Sequence, residues 1–276
     1  MGPWSHQWQF LWYPLDLARQ MAVEGKEISV DTGERWQVAD GSTDWSRSRY
    51  PWGRANGGCY AHLSTDGGRT WAHTAKIDTS PYVGGYTPRG VVQLSDDTVL
   101  MATADHPLNR HAFAVHSDDG GRSWNRTVLI GRKGDEDFSE PTAAVLADDK
   151  VVVMVRNDDT HYLHQCDSAD GGRTWGVVRQ TPIWGYPAHL LRLSDGRLLC
   201  TYGHRREPYG IRACLSEDSG KSWQYDQELI VRSDLPNGNL GYPVSIEYRP
   251  GKIFTVYYGE DRDGVTCIQG SYWQLS

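Results

Sequence analysis

Ser64-Thr-Asp66-Gly-Gly68-Arg-Thr-Trp71 is an eight-residue phrase that the chain writes three more times. It returns as Ser117-Asp-Asp119-Gly-Gly121-Arg-Ser-Trp124, Ser168-Ala-Asp170-Gly-Gly172-Arg-Thr-Trp175 and Ser216-Glu-Asp218-Ser-Gly220-Lys-Ser-Trp223, the starts advancing by 53, 51 and 48 residues. Each phrase reads as a hairpin turn in which Asp accepts backbone N–H bonds, Gly takes positive φ and Trp staples the turn onto its own sheet. These aspartates are therefore structural. The several carboxylates and closing Glu of an EF-hand loop are missing, so no metal is expected.

Between the phrases lie pairs of apolar runs around a polar turn: Val91 to Met101, Ala143 to Val155, Leu190 to Tyr202 and Ser245 to Tyr258. A unit of about 50 residues with four strands and a turn signature is the length of a β-propeller blade. Composition agrees, since 12 Trp and 15 Tyr against 4 Phe, with 30 Gly, favour strands joined by tight turns. The expectation is a single all-β domain over residues 1–276, a β-propeller of four-stranded antiparallel blades.

With 38% hydrophobic and 23% charged residues the chain reads as globular, neither disordered nor membrane-embedded. It has no apolar stretch near the roughly 18 residues of a spanning helix, and Met1 to Ala18 lacks the pattern of a secretory leader, so no membrane partner and a cytoplasmic location are expected. A net charge of -7 gives no footprint for nucleic acid. The five cysteines form no CxxC pair and no zinc spacing, which makes Cys59, Cys166, Cys214 and Cys267 packed thiols.

The four phrases resemble the Asp-boxes, or BNR repeats, of the sialidase superfamily, over residues 55 to 276. That resemblance implies six blades, of which five units are countable. A further match at Ser29-Val-Asp31-Thr-Gly33-Glu-Arg-Trp36 comes only 35 residues before Ser64. Residues 1–40 are thus an atypical segment, expected to close the ring by pairing around Lys26 to Asp31 with the outer edge of the last unit.

The turns carrying the boxes gather on one face, leaving the opposite face to loops rich in Arg, His, Tyr and carboxylates. By resemblance, Glu140 in Ser139-Glu140-Pro141 is the base that activates Tyr242 in Gly241-Tyr242-Pro243 as nucleophile, and Arg156 with Arg212 holds a substrate carboxylate. The chemistry is sound, because a tyrosine of pKa about 10 needs a neighbouring carboxylate and a carboxylate ligand is best met by a planar guanidinium. The family's Arg-Ile-Pro segment is missing, with Arg89 in Pro88-Arg89-Gly90 its nearest analogue. Asp105 is the best placed substitute for the general acid. His189, His204 and Arg205 add basicity to the same face, and Tyr258 ends the second strand of the last unit.

Three functions remain open on the sequence. The first is a sialidase-like exo-acting glycoside hydrolase on a terminal acidic sugar, without a cofactor. The second is a uronate-cleaving lyase in which His and Tyr move protons, and the third is a non-catalytic carbohydrate-binding or scaffold protein.

Overall fold

The computed structural model describes residues 4–33, 36–106, 109–132, 134 and 136–275. All four phrases form the expected turns. Ser64 Oγ donates to Asp66 Oδ1 at 2.8 Å and accepts from Gly68 N at 2.8 Å, while Asp66 Oδ1 accepts from Thr70 N at 2.9 Å. The same bonds recur around Asp119, Asp170 and Asp218. With the Thr70 hydroxyl as the largest cause, these donors hold the Asp66 carboxylate down to about 2.

The described strands make five sheets. The first holds β1 (Trp4–Pro14), β2 (Ser29–Asp31), β3 (Trp36–Val38), β4 (Trp52–Leu63) and β5 (His73–Lys76), with helix α1 (Leu15–Val23) following β1. The second runs β6 (Val92–Gln93), β7 (Val99–Ala104), β8 (Ala112–Ser117) and β9 (Arg126–Gly131). Next come β10 (Phe138–Val145), β11 (Val151–Asn157), β12 (Tyr162–Ser168) and β13 (Arg179–Trp184), then β14 (Ala188–Arg192), β15 (Leu198–His204), β16 (Gly210–Ser216) and β17 (Leu229–Arg232). The fifth is β18 (Gly241–Arg249), β19 (Lys252–Glu260) and β20 (Thr266–Gln274). The second, third and fourth are antiparallel meanders in chain order, and every residue of β7, β8 and β15 is buried. Strands covered on two faces tolerate a continuous apolar run, which is why Val99 to Ala104 shows no alternation.

The expected closed ring of six four-stranded propeller blades is corrected by this topology. The five sheets hold five, four, four, four and three strands, and no pairing among the described residues joins the last to the first. The segment expected to close a ring is used elsewhere: Ser29–Asp31 pairs with β3 and touches β4 at Arg54, so it belongs to the first sheet. β1 takes most of β4 as its partner, from Trp4 against Leu63 to Pro14 against Trp52. A long hairpin-like pair with β2 at its flank replaces a meander there.

The box tryptophans explain how neighbouring sheets adhere. Trp124 packs with Cys59, Ala61 and Ile77 at the first sheet as well as with Met101 and Phe113 of its own. Trp223 donates from Nε1 to Gln165 Oε1 on β12 at 2.8 Å and packs with Val152, Met154 and Leu163 of the third sheet. Each indole therefore staples its sheet to the preceding one rather than to its own alone. Trp71 belongs to the first of the described sheets and is 43% exposed. At the other end Val244, Ile246, Tyr248, Ile268 and Tyr272 leave one face of the fifth sheet open to solvent. Cys59, Cys166, Cys200 and Cys214 are buried free thiols, and burial pushes the Cys59 thiol up to about 12.

Candidate functional site

β10 and β18 bring their functional residues in by the same device. Glu140 and Tyr242 have φ of 50° and 51°, a left-handed conformation that costs a residue with a Cβ on the order of 1–3 kcal/mol and persists where the surroundings enforce it. Each precedes a proline, and each falls in a break of strand register, between Ser139 and Thr142 and between Gly241 and Val244. A bulge of this kind interrupts the alternation of side chains and re-aims one of them.

The two re-aimed residues meet. Tyr242 donates its hydroxyl to Glu140 Oε1. Tyr86, from the segment before β6, donates to the same oxygen at 2.7 Å. Arg156, near the end of β11, donates from Nη1 to Glu140 Oε2 at 2.8 Å and from Nε to Asp158 Oδ1 at 2.7 Å. Four segments thus converge on one carboxylate whose side chain is 4% exposed. The Arg156 guanidinium also lies 4.3 Å from the Tyr186 ring centroid, and Arg205 approaches Tyr186 from 5.1 Å and Tyr242 from 6.0 Å.

Electrostatics assigns different states to the acids. Burial pushes the Glu140 carboxyl up, but Arg156 and the hydroxyls of Tyr242 and Tyr86 outweigh it, and the pKa ends below the usual value. Burial and then the Glu140 charge raise the Tyr242 phenol, so it keeps its proton until something takes it. Asp137 is the opposite case: burial and then the Asp158 carboxylate push it up to about 7 against the pull of Arg156.

A cavity of about 370 Å³ opens against this group. One wall carries Tyr86, Asp137, Glu140, Arg156 and Asp158, with His106 and Asn109 beside them, and the other carries Trp12, Trp36 and Arg54 of the first sheet. Among the described residues no three His, Cys, Asp or Glu side chains stand together in a way that could hold a metal ion.

A family model for the BNR repeat-like domain matches residues 36–255. The chain belongs to that family. It is 25% identical over 209 residues to a sialidase of Micromonospora viridifaciens, a match covering 69% of this chain and 30% of that one. A crystal structure of a protein of unknown function from Dyadobacter fermentans superposes with TM-score 0.76 at 23% identity, covering 99% of this chain and 72% of that chain. The intramolecular trans-sialidase of Ruminococcus gnavus gives 0.61 at 14% identity over 99% of this chain and 59% of its own. The NanB sialidase of Streptococcus pneumoniae (K499G mutant) gives 0.60 at 15%, over 91% and 42%. The fold of this BNR repeat-like chain is that of the sialidase superfamily.

Within this BNR repeat-like chain, the residues singled out from sequence divide into two groups. Glu140, Arg156 and Tyr242 come together, with Arg205 and Tyr258 beside them: Arg205 Nη2 donates to Tyr258 Oη at 3.3 Å, and the rings of Tyr258 and Tyr242 lie 5.9 Å apart. Arg89 is buried close enough to feel Glu140 and Tyr242, and burial lowers it to about 10. Arg212 lies apart, with Nη1 on Arg232 O, Nη2 on Pro208 O, each at 3.3 Å, and Nε 3.5 Å from Glu228. Asp105 is spent on its own loop, accepting from Arg110 N at 2.7 Å and His111 N at 2.8 Å. His189 faces Ser245 N and Arg89, and burial followed by Arg89 drives it down to about 3. His204 bonds Pro208 O and receives Arg206 Nε at 3.2 Å.

Tyr86, Tyr186, Asp137 and Asp158 lie on the loops that the sequence assigns to this face, but the sequence gives none of them a role. Tyr86 and Tyr186 share a signal with Tyr242: Gly85-Tyr86-Thr-Pro88, Gly185-Tyr186-Pro187 and Gly241-Tyr242-Pro243 place Gly-Tyr shortly before a proline, at or ahead of a sheet's first strand.

Proposed function

We propose that the chain is a glycoside hydrolase that removes a terminal acidic sugar, with Tyr242 as nucleophile. The observation that carries this reading is Glu140, held ionised by Arg156 on one oxygen while its other oxygen accepts the Tyr242 proton. A phenol is weakly nucleophilic at its ordinary pKa, and transfer of its proton to a positioned carboxylate as the bond forms removes that handicap. A neutral attacking group also suits a sugar that carries its own carboxylate, which would repel an aspartate or glutamate nucleophile.

The atoms balance in two steps. Tyr242 Oη bonds to the anomeric carbon, its proton passes to Glu140, and the bond to the leaving oxygen breaks as Asp137 protonates that oxygen. Water then attacks the same carbon and gives a proton to Asp137 as the bond from that carbon to Tyr242 Oη breaks, and Tyr242 recovers its proton from Glu140. Asp137 suits the acid role because it lines the cavity and its pKa of about 7 keeps it protonated in part at neutral pH. The three Arg156 nitrogens are already committed to Glu140 and Asp158. Arg205, which bonds only Leu240 O and Tyr258 Oη among the described residues, is the better candidate for the substrate carboxylate. The lyase alternative rests on His189 and His204, and their rings face Ser245 N and Arg89, and Pro208 O and Arg206 Nε, rather than Glu140 or Tyr242.

The test compares aryl glycosides of an acidic and a neutral sugar with wild-type protein and Tyr242→Phe. Wild type should release the acidic sugar with no unsaturated product, and Tyr242→Phe should bind it and turn over at least 100-fold more slowly, on the order of a lost nucleophile. Full turnover by Tyr242→Phe, or an unsaturated uronate as product, overturns the reading.

A further inference from the structure

Glu140 Oε1 accepts from two phenols, Tyr242 on β18 and Tyr86 ahead of β6, the second at 2.7 Å. The backbone of Tyr86 is pinned to β7, its N–H donating to Ala104 O at 2.9 Å and its carbonyl accepting from Ala104 N at 3.0 Å. Thr87, itself buried, donates from Oγ1 to Pro141 O at 3.1 Å. Two consecutive residues therefore grip the bulge at Glu140 and Pro141, one at the side chain and one at the main chain. That grip helps to enforce the left-handed conformation of Glu140. The groups facing the carboxylate are then Arg156 from β11 on Oε2, the two phenols on Oε1, and Arg89 of the Tyr86 segment within electrostatic range.

We propose that Tyr86 is a positioning residue whose hydroxyl, fixed on Glu140 Oε1, limits how firmly that carboxylate keeps the proton it takes from Tyr242. A carboxylate oxygen has room for two donors, but each one favours its charged form and makes it a poorer base. The proton that moves from Tyr242 Oη to Glu140 is therefore readily returned. In the hydrolase reading, on which this consequence rests, Glu140 must be a base while the sugar joins Tyr242 and an acid while it leaves. Tyr86 tips that balance toward release. Burial and the Glu140 charge raise the Tyr242 phenol, and the Tyr86 hydroxyl is among the groups that pull it back, so the same donor eases the departure of Tyr242 from the sugar.

Tyr86→Phe keeps the ring and removes the donor. In protein carrying 13C at its glutamate carboxyls, with the Glu140 signal assigned by Glu140→Gln, the Glu140 titration midpoint should rise by roughly one unit, the tenfold change in proton affinity expected of one lost hydrogen bond to a charge. A fluorinated tyrosine at position 86, a stronger donor of nearly the same shape, should move the midpoint the other way. On an aryl glycoside of the acidic sugar, kcat and KM of Tyr86→Phe should fall together by about tenfold with a burst of released phenol, because the glycosyl-enzyme then forms faster than it breaks down. The acidic limb of kcat/KM should move up in pH with the Glu140 midpoint. An unchanged midpoint in a Tyr86→Phe variant of normal thermal stability, or a raised KM without a burst, overturns the proposal. A raised midpoint in a protein that does not turn over the acidic sugar sustains the hold of Tyr86 on Glu140 and counts against the hydrolase reading.

Discussion

Arg156→Lys is the substitution whose effect the structure sets most closely. The arginine fork holds two carboxylates at once, Glu140 at 2.8 Å through Nη1 and Asp158 at 2.7 Å through Nε, with its own side chain 16% exposed. Lysine is a point charge and keeps one of these partners at most. Hydrogen bonds to charged groups contribute roughly 1.5–3 kcal/mol each, so losing one beside a carboxylate this buried should cost about 2–3 kcal/mol. The pH dependence carries a sign. Glu140 has its folded pKa below the unfolded value of about 4.3, so its stabilising contribution is full at neutral pH and is lost as pH falls through the folded value. Weakening Arg156 lets burial dominate and removes that contribution at neutral pH. Urea unfolding followed by tryptophan fluorescence should therefore show the gap between wild type and variant widest at pH 7 and narrowing toward pH 4 and below. A variant as stable as wild type at pH 7, or a gap that widens on acidification, would mean that Arg156 does not hold Glu140 ionised.

Asp119→Ala should lower stability by about 1 kcal/mol through the turn bonds it removes, with activity per folded molecule unchanged. Loss of turnover in a folded Asp119→Ala protein would contradict the structural role of the boxes. Turnover of wild type should decline as pH rises through about 7, where Asp137 gives up its proton, and Asp137→Asn should abolish that limb. The same variant should lose far more rate on a poor leaving group than on nitrophenolate, and equal losses on the two would remove Asp137 from the acid role.

The boxes and apolar pairs were legible because they are local. A turn is decided by its own Ser, Asp and Gly, and the strands on either side follow from apolar runs around a polar turn. The first sheet was not legible, since β1 and β4 pair across some forty intervening residues and nothing in either run names the other. Glu140, Arg156 and Tyr242 could be read through their resemblance to a known pattern. Arg205 and Arg212 illustrate what could not: one lies in the loop after β15 and the other in β16, and only packing decides that Arg205 faces Tyr242 while Arg212 braces Pro208 and Arg232. Asp105 and Asp137 show the same limit, because a loop carboxylate becomes a turn acceptor or a raised acid according to which backbone amides and charges surround it. The Gly-Tyr pairs were in plain view, yet their meaning depends on packing that brings Tyr86 and Tyr242 onto Glu140 and Tyr186 against Arg156.

Activation by Glu140 makes the Tyr242 phenol the nucleophile of the proposed reaction, joined for a time to the sugar. Incubation with a fluorinated acidic sugar bearing a good leaving group, followed by proteolysis and mass spectrometry, tests it most directly, because fluorine slows release of any covalent intermediate. A glycosyl adduct on the peptide containing Tyr242, missing from both Tyr242→Phe and Glu140→Gln, is the expected result. An adduct on another residue, or its persistence in Tyr242→Phe, would contradict the claim.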